Sequence, residues 1–346
     1  MRRLLVGLLL IVAAQSIAHA ETNQPGEVLD NADSETGSRL LPPTESQSDG
    51  AKLPTGQQKG DLKNEIDERR FGEKPEDVAF TAFQLGRFLT AIRLATPLAE
   101  SGNPAAQTLL GEIYAGGLGV PTDHDKAAEW YARAAEAGVP AAQFQYALML
   151  LDGEYVEKNE AFAERLLKQA AEGGNANAQF NYAQRLLGTN NAKNVSEAAR
   201  WYQAAARKGV PDAQYAYANW LSGEIDGVTR DMAEAREWLA KASKGGMAAA
   251  RVELATWLFS GKGGERDFDQ GFRLLRQTAR SGNVAAQSQL AKAYIYGYGT
   301  DPDTIEAASW YIVARRAGLR DPELDDLMDG LSGKQKQQAL ERANRR

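Results

Sequence analysis

The 346-residue chain contains no cysteine. Disulfides, thiolate metal sites and cysteine nucleophiles are thereby excluded, and stability must come from packing. Histidine is almost absent: His19 falls in the first twenty residues and His124 is the only other. A lone imidazole with no thiolate makes a poor zinc site. No apolar run reaches the ~20 residues that cross a bilayer. Basic residues are outnumbered 40 to 46, for a net charge of −6. That balance disfavours nucleic acid, which asks for a basic patch, and simple adsorption to anionic lipid. The Ser-x-x-Lys, Ser-Asp-Asn and Lys-Thr-Gly motifs of β-lactam enzymes are missing. Gly116-Gly117 and Gly263-Gly264 lack the rest of a phosphate-loop pattern.

The start of the chain reads as a leader. Arg2 and Arg3 precede an apolar stretch from Leu4 to Ala14, and Ala18-His19-Ala20 supplies an A-x-A cleavage site. Residues 1–20 are therefore expected to be a signal peptide. Without them the chain carries 38 basic and 46 acidic residues, or −8. No cysteine follows the cleavage site to carry a lipid, so the expected destination is the periplasm or the outside, with no membrane insertion after cleavage. Residues 21–75 are rich in Pro, Gly, Ser, Gln and acids, as in Leu41-Pro42-Pro43-Thr44-Glu45. Such composition buries too little apolar surface to offset chain entropy, so a disordered linker is expected, with a short helix possible over 62–70. Its role is either a spacer or a docking segment.

A period of about 36 residues organises the rest. Trp130, Leu166, Trp201, Trp238, Leu274 and Trp310 recur at steps of 36, 35, 37, 36 and 36. Eight residues after each stands a glycine, Gly138 being the first and Gly318 the last. Five residues after a glycine comes Gln143, Gln179, Gln214, Arg251 or Gln287, with Gln107 opening the series. A period in this range marks a stacked-repeat protein, whose stability is built from neighbouring units and whose long surface serves partners. Two helices, A and B, are expected per repeat. Asp123, Asn159, Asn194, Asp231, Asp267 and Asp303 fall at N-cap positions of helix B, and Glu197, Glu234, Gln270 and Glu306 stand three residues on, at capping-box spacing. Pro104, Pro140 and Pro211 fit the first turn of helix A. All length variation lies between A and B, so the junction between repeats is expected to be rigid and the A–B loop to face solvent.

Core registers follow from the same alignment. Leu110, Tyr146, Tyr182, Tyr217, Leu254 and Leu290 share one position of helix A, and the next residue is always Gly or Ala. A small residue there lets a neighbouring helix approach. Residues 76–102 read as a degenerate N-terminal capping repeat, with Leu94 at the anchor position and Pro97 expected to distort its second helix. Residues 103–318 hold six repeats. Residues 319–346 read as C-terminal capping helices, over about 321–329 and from Ser332 onward.

Repeat 1 reads Ala105-Ala106-Gln107, Leu110-Gly111, Tyr114, Gly117, Gly119-Val120, Asp123, Lys126-Ala127, Trp130-Tyr131, Ala134-Ala135 and Gly138. Repeat 6 matches nearly as well through Gly297, Gly299, Trp310 and Tyr311. This pattern resembles the Sel1-like repeat family. The resemblance implies an all-α, right-handed αα-solenoid close to tetratricopeptide repeats, and a role as an adaptor. Exported bacterial members include regulators of envelope signalling and host-interaction factors. Cysteine-rich Helicobacter members were described as penicillin-binding, and this chain departs from them in having no cysteine.

No residue set asks for a catalytic, cofactor-binding or metal role. His124, flanked by Asp123 and Asp125, reads as a cap-region residue, since a real site gathers several convergent groups. The tryptophans read as core because leucine shares their register. The partner-binding candidates are Phe144, Phe180 and Tyr215, three aromatics at one position of helix A in the central repeats; aromatic anchors favour interface hot spots, and packing between A helices is the competing role. The expected function is an exported protein-interaction scaffold in envelope organisation or signalling, its partner another protein such as an envelope sensor or assembly factor. The alternative is a periplasmic enzyme or receptor acting on cell-wall fragments or glycans.

Overall fold

The computed structural model describes residues 74–188, 192–223 and 229–346. The expected leader and the possible helix at 62–70 lie outside the described residues, as does the linker apart from Lys74 and Pro75, which open the first helix. The described residues form sixteen α-helices and no strand. An N-terminal pair is α1 (Pro75–Gln84) and α2 (Phe88–Glu100). Six A/B pairs follow: α3 (Pro104–Gly116) with α4 (His124–Glu136), α5 (Pro140–Asp152) with α6 (Glu160–Glu172), and α7 (Ala176–Gly188) with α8 (Ala192–Arg207). Then come α9 (Pro211–Ser222) with α10 (Met232–Lys244), α11 (Ala248–Ser260) with α12 (Phe268–Arg280), and α13 (Val284–Tyr296) with α14 (Thr304–Arg316). Two short helices, α15 (Pro322–Gly330) and α16 (Gly333–Ala343), end the chain.

Each helix but the last packs mainly on its neighbours in sequence, as a solenoid requires, and α16 reaches past α15 to α14. At α1–α3, α3–α5 and α11–α13, successive A helices also touch, more closely than successive B helices do. The A helices thus form the inner side of the curve and the B helices the outer side.

The helix boundaries follow from local chemistry. Asp123, Asn159, Asp231 and Asp267 accept the N–H three residues on, at 3.0, 3.0, 2.9 and 2.8 Å. Asn103, Asn175 and Asn283 do the same for three A helices. Asn194 is not at the helix boundary: α8 begins two residues earlier and Asn194 lies inside it. The capping boxes expected of helix B also form only in half. Glu234 accepts the Trp238 indole N–H at 3.0 Å, and Glu197 accepts that of Trp201 at 3.3 Å, so these acids serve the anchor rather than the cap. The full box occurs at Ser332 and Gln335 of α16. Pro97 sits in the last turn of α2, where the helix continues to Glu100.

The fixed junction has a single cause. Gly138 donates its N–H to the Ala135 carbonyl at 3.0 Å, and its φ of +83° turns the chain so that the Val139 N–H reaches the Ala134 carbonyl at 3.1 Å. Gln143 Nε2 donates to that same oxygen at 3.4 Å. The arrangement repeats with Gln179 on Ala171, Gln214 on Ala206 and Gln287 on Ala279, at 3.1, 3.2 and 3.3 Å. Arg251 substitutes its Nε on Ser243 at 3.1 Å. One carbonyl at the end of helix B therefore receives both the turn and the next helix A. This is why glycine and glutamine keep their five-residue spacing, and it satisfies the buried Nε2, whereas the Oε1 of Gln179 and of Gln287 has no partner among the described residues.

Within a repeat the most buried large side chain is the residue after the anchor. Leu167, Tyr202, Leu239, Leu275 and Tyr311 are fully enclosed, and Tyr131 nearly so. Of the anchors themselves, Leu166, Trp238 and Trp310 are buried, whereas Trp130, Trp201 and Leu274 are half-buried. Gly111 gives Tyr131 its room: a Cβ there would stand 2.7 Å from the ring. The A–B loops touch more than solvent. A Cβ on Gly299 would stand 2.3 Å from the Phe268 carbonyl, so the loop of repeat 6 lies on the first turn of α12.

Candidate interaction surface

In the A helices, four positions at helical spacing form the stripe that faces away from the core, except where Leu109 of α3 and Ala216 of α9 are buried. Exposed or half-buried residues there include Glu112 of α3, Gln145 and Asp152 of α5, Asn177 and Gln184 of α7, Asp212 and Asn219 of α9, and Glu253 of α11. Carboxamides dominate the centre. The outer face of the B helices differs: Glu129 and Arg133, Arg165 and Lys168, Glu237 and Lys241, and Arg273 and Arg276 are all exposed. The outer face is thus densely charged in both signs, while the inner face is poor in charge and above all in cations. Interface cores are depleted in charged residues because each must be desolvated.

The three aromatic candidates divide. Phe144 is buried at 8% exposure and belongs to the central core. Phe180 and Tyr215 are half-buried and rest against that core. Phe180 packs on Tyr202, and Tyr202 on Trp220, with ring centroids 5.7 and 6.0 Å apart. Tyr215 stands beside Asn219 and Glu253; burial, with the Glu253 carboxylate, pushes its phenol up to about 12. The competing packing role therefore describes Phe144, while Phe180 and Tyr215 retain a face at the surface. The carboxamide stripe around them went unnoticed in the sequence. Its signal was the residue type at every third or fourth position of helix A, read across repeats rather than along one.

His124 is the first residue of α4, and its ring packs on Tyr155 with centroids 4.4 Å apart. Among the described residues no group of three or more His, Asp or Glu could hold a metal ion. No described helix is long and apolar enough to cross a membrane. At the C-terminal end of the inner face, Lys292 of α13 bridges Asp321 and Glu323 at 2.9 and 2.8 Å. Tyr296 donates its hydroxyl to Glu323. Tyr296 also stacks on Tyr298, which continues onto Phe268 at 5.1 Å and Phe259 at 5.0 Å.

An αα-solenoid with one charged side and one charge-poor side defines a class of proteins that act by holding others. The Sel1 repeat profile matches residues 104–139, 140–175, 176–210, 211–247, 248–283 and 284–319, each match opening on the first residue of an A helix. The chain is a member of the Sel1 repeat family. A crystal structure of a Sel1 repeat protein from Oxalobacter formigenes aligns at 25% identity and TM-score 0.59, over 72% of this chain and all of that one. A protective antigen present in uropathogenic Escherichia coli strains, displaying an SLR fold, aligns at 25% identity and TM-score 0.52, over 78% of this chain and 68% of its own. No curated protein matches. Sel1 repeats serve protein–protein interaction, and the family is scaffold-like rather than enzymatic in type.

Proposed function

We propose that the chain is an exported scaffold that holds another protein on its A-helix surface, in envelope organisation or the regulation of envelope signalling. The observation that carries this reading is the contrast between the two faces. Replacing water along the inner stripe removes few charges from solvent, whereas the outer face would have to give up a dense mixture of ions. The leader pattern of Arg2, Arg3 and Ala18-His19-Ala20 supports export. Phe180 and Tyr215 are the aromatic anchors of the surface.

Site-specific photocrosslinking tests the reading. A benzophenone side chain at Gln184 is expected to trap a discrete protein adduct in cells, and one at Glu237 of the outer face is not. Equal trapping at both positions, or none, overturns it. Purified chain incubated with muropeptides tests the receptor or enzyme alternative. Turnover that disappears on replacing one polar residue would put that alternative first.

A further inference from the structure

The charges of the six A helices are divided in an unusual way. Their only cations are Arg185, Arg251 and Lys292. Each is occupied: Arg185 by Glu164 of α6 at 3.7 Å, Arg251 by the Ser243 carbonyl at 3.1 Å, and Lys292 by Asp321 and Glu323. Their only anions are Glu112, Asp152, Asp212 and Glu253, and all four lie on the solvent-side stripe. None of the four makes an ion pair among the described residues. Between them stand carboxamides. The side chains of Gln145, Asn177 and Gln184 make no hydrogen bond among the described residues, and each offers both donors and an acceptor.

We propose that this stripe takes an extended polypeptide segment bearing lysine or arginine, its main chain on the carboxamides and its basic side chains on the four acids. The inference rests on the scaffold reading above and adds the partner's chemistry. A helical partner has spent its own N–H and C=O groups internally and leaves the carboxamides nothing to bond. An extended one presents both along its length. The spacing also fits. Successive A helices touch only marginally, so they stand no closer than the about 9 Å of directly packed helices, and an extended chain advances about 3.3 Å per residue. Each step between A helices therefore takes about three residues, and the four steps from α3 to α11 that separate the outermost acids take about twelve. Two of the three cations of the row are paired with acids and Arg251 rests on a carbonyl, so an acidic segment meets four unpaired carboxylates against one uncompensated charge. A basic one meets unpaired carboxylates and is steered by the net charge of −6.

Selection of phage-displayed random twelve-residue peptides on the full-length chain tests the proposal. Enriched sequences are expected to gain Lys and Arg, to lose Asp and Glu, and to show no helical apolar period. A labelled peptide of that kind should lose about tenfold or more in affinity on the double change Glu112→Lys and Asp152→Lys. It should weaken with salt and bind unchanged to the outer-face control Glu129→Lys with Glu237→Lys. The isosteric pair Glu112→Gln with Asp152→Asn gives the same direction if the lysine variant fails to fold, as judged by circular dichroism. Gln184→Ala should weaken binding several-fold without changing the charge preference. Acidic or helix-patterned winners, binding indifferent to the inner-face changes, or no enrichment would each overturn the proposal. These failures differ from failure of the scaffold reading, which is absence of a preferential crosslink at Gln184.

Discussion

At the N-terminal end the stack is joined by the bond used at interior junctions: Gln107 of α3 donates to the Ala99 carbonyl of α2 at 3.0 Å. At the C-terminal end the residue five past Gly318 is Glu323, and it binds Lys292 and Tyr296 instead of a carbonyl. The outer surfaces differ as well. The first pair of helices leaves Phe80, Leu85 and Leu89 at 49%, 55% and 67% exposure. The last B helix, α14, carries Ile305 and Ile312 where other repeats place mostly charged or small residues, and with Ala308 they receive α16. Arg342 then ties α16 to Asp303 and Glu306 at 3.0 Å each, and Arg346 stacks over Trp310 at 3.8 Å. One end is a repeat cut short and held by neutral hydrogen bonds. The other is a purpose-built cap held by apolar contact and ions. A solenoid needs ends that do not recruit further units, and among the described residues the C-terminal end meets that need with ion pairs.

Side-chain truncation at the two ends should give the largest contrast. Leu324 of α15 is fully enclosed, so Leu324→Ala is expected to cost about 2–5 kcal/mol. Hydrogen exchange should show the loss over α14–α16. Leu89→Ala, at a mostly exposed position, should stay within about 0.5 kcal/mol. Comparable costs would mean that the N-terminal face is covered in solution and would break the comparison.

Two tyrosines at the same register sharpen it. Tyr311 accepts the Asp321 N–H at 3.0 Å and donates to Asp325 at 2.7 Å, linking α14 to the cap. Tyr202 is equally enclosed, yet its hydroxyl has no partner among the described residues. Tyr311→Phe is therefore expected to cost about 1–2 kcal/mol, because it strands polar groups of the cap. Tyr202→Phe should be neutral or stabilising, because it removes an unpaired buried hydroxyl. Denaturant midpoints of the two variants decide the matter. Equal losses would show that Tyr202 is satisfied by a group such as buried water.

Much of this was legible in the sequence. Helix order, the five B-helix caps that form and the two C-terminal helices follow from residue types with strong local preferences, such as Asp267 and Ser332. Packing decided the rest. Trp130 and Trp201 share the register of Trp238, but neighbours cover them less. Trp220 and Trp257 share one register of two consecutive A helices and lie in the core, but Ile113, Met149, Arg185 and Ala293 at the same position hide the pattern. Glu234 had a choice between the N-cap and the Trp238 indole four residues on; only the packed structure fixes the indole as its partner. The inner stripe was hidden because its residues are conspicuous for what they lack.

Cutting the clasp at the N-terminal end should be milder. The Ala99 carbonyl also receives the Gly102 N–H at 3.1 Å, so Gln107→Leu leaves it one partner. The expected cost is about 0.5–1.5 kcal/mol, read as faster exchange confined to α1 and α2. The effect should be insensitive to salt, since no charge is involved. Faster exchange throughout the stack would show that the clasp sustains cooperativity rather than one junction.

Acid should separate the ends with the smallest energies. Burial works against ionisation of Asp321, but Lys292, the Leu324 N–H and Ser288 outweigh it and hold its carboxyl below the usual range. Lys292 and Tyr296 do the same for Glu323. For Asp303 burial is again outweighed, by the Glu306 N–H and Arg342. A carboxylate lowered on folding contributes fully above its unfolded value, near about 4, and loses that contribution as pH falls through the folded value. Lys292 is raised: burial opposes its charge, yet Glu323 and Asp321 prevail. Its contribution is complete below its ordinary value of 10.5 and fades only above it. The cap should therefore be intact from about pH 5 to 9 and loosen below about 4. These groups are partly solvated, so each contributes about 1 kcal/mol at most. Exchange at pH 3 against pH 5, corrected for intrinsic rates, should rise over α15 and α16 before α1 and α2, and 1 M salt at pH 5 should act in the same direction. The reverse order would mean that apolar contact alone seals the C-terminal end and that its ions are ornaments of the surface.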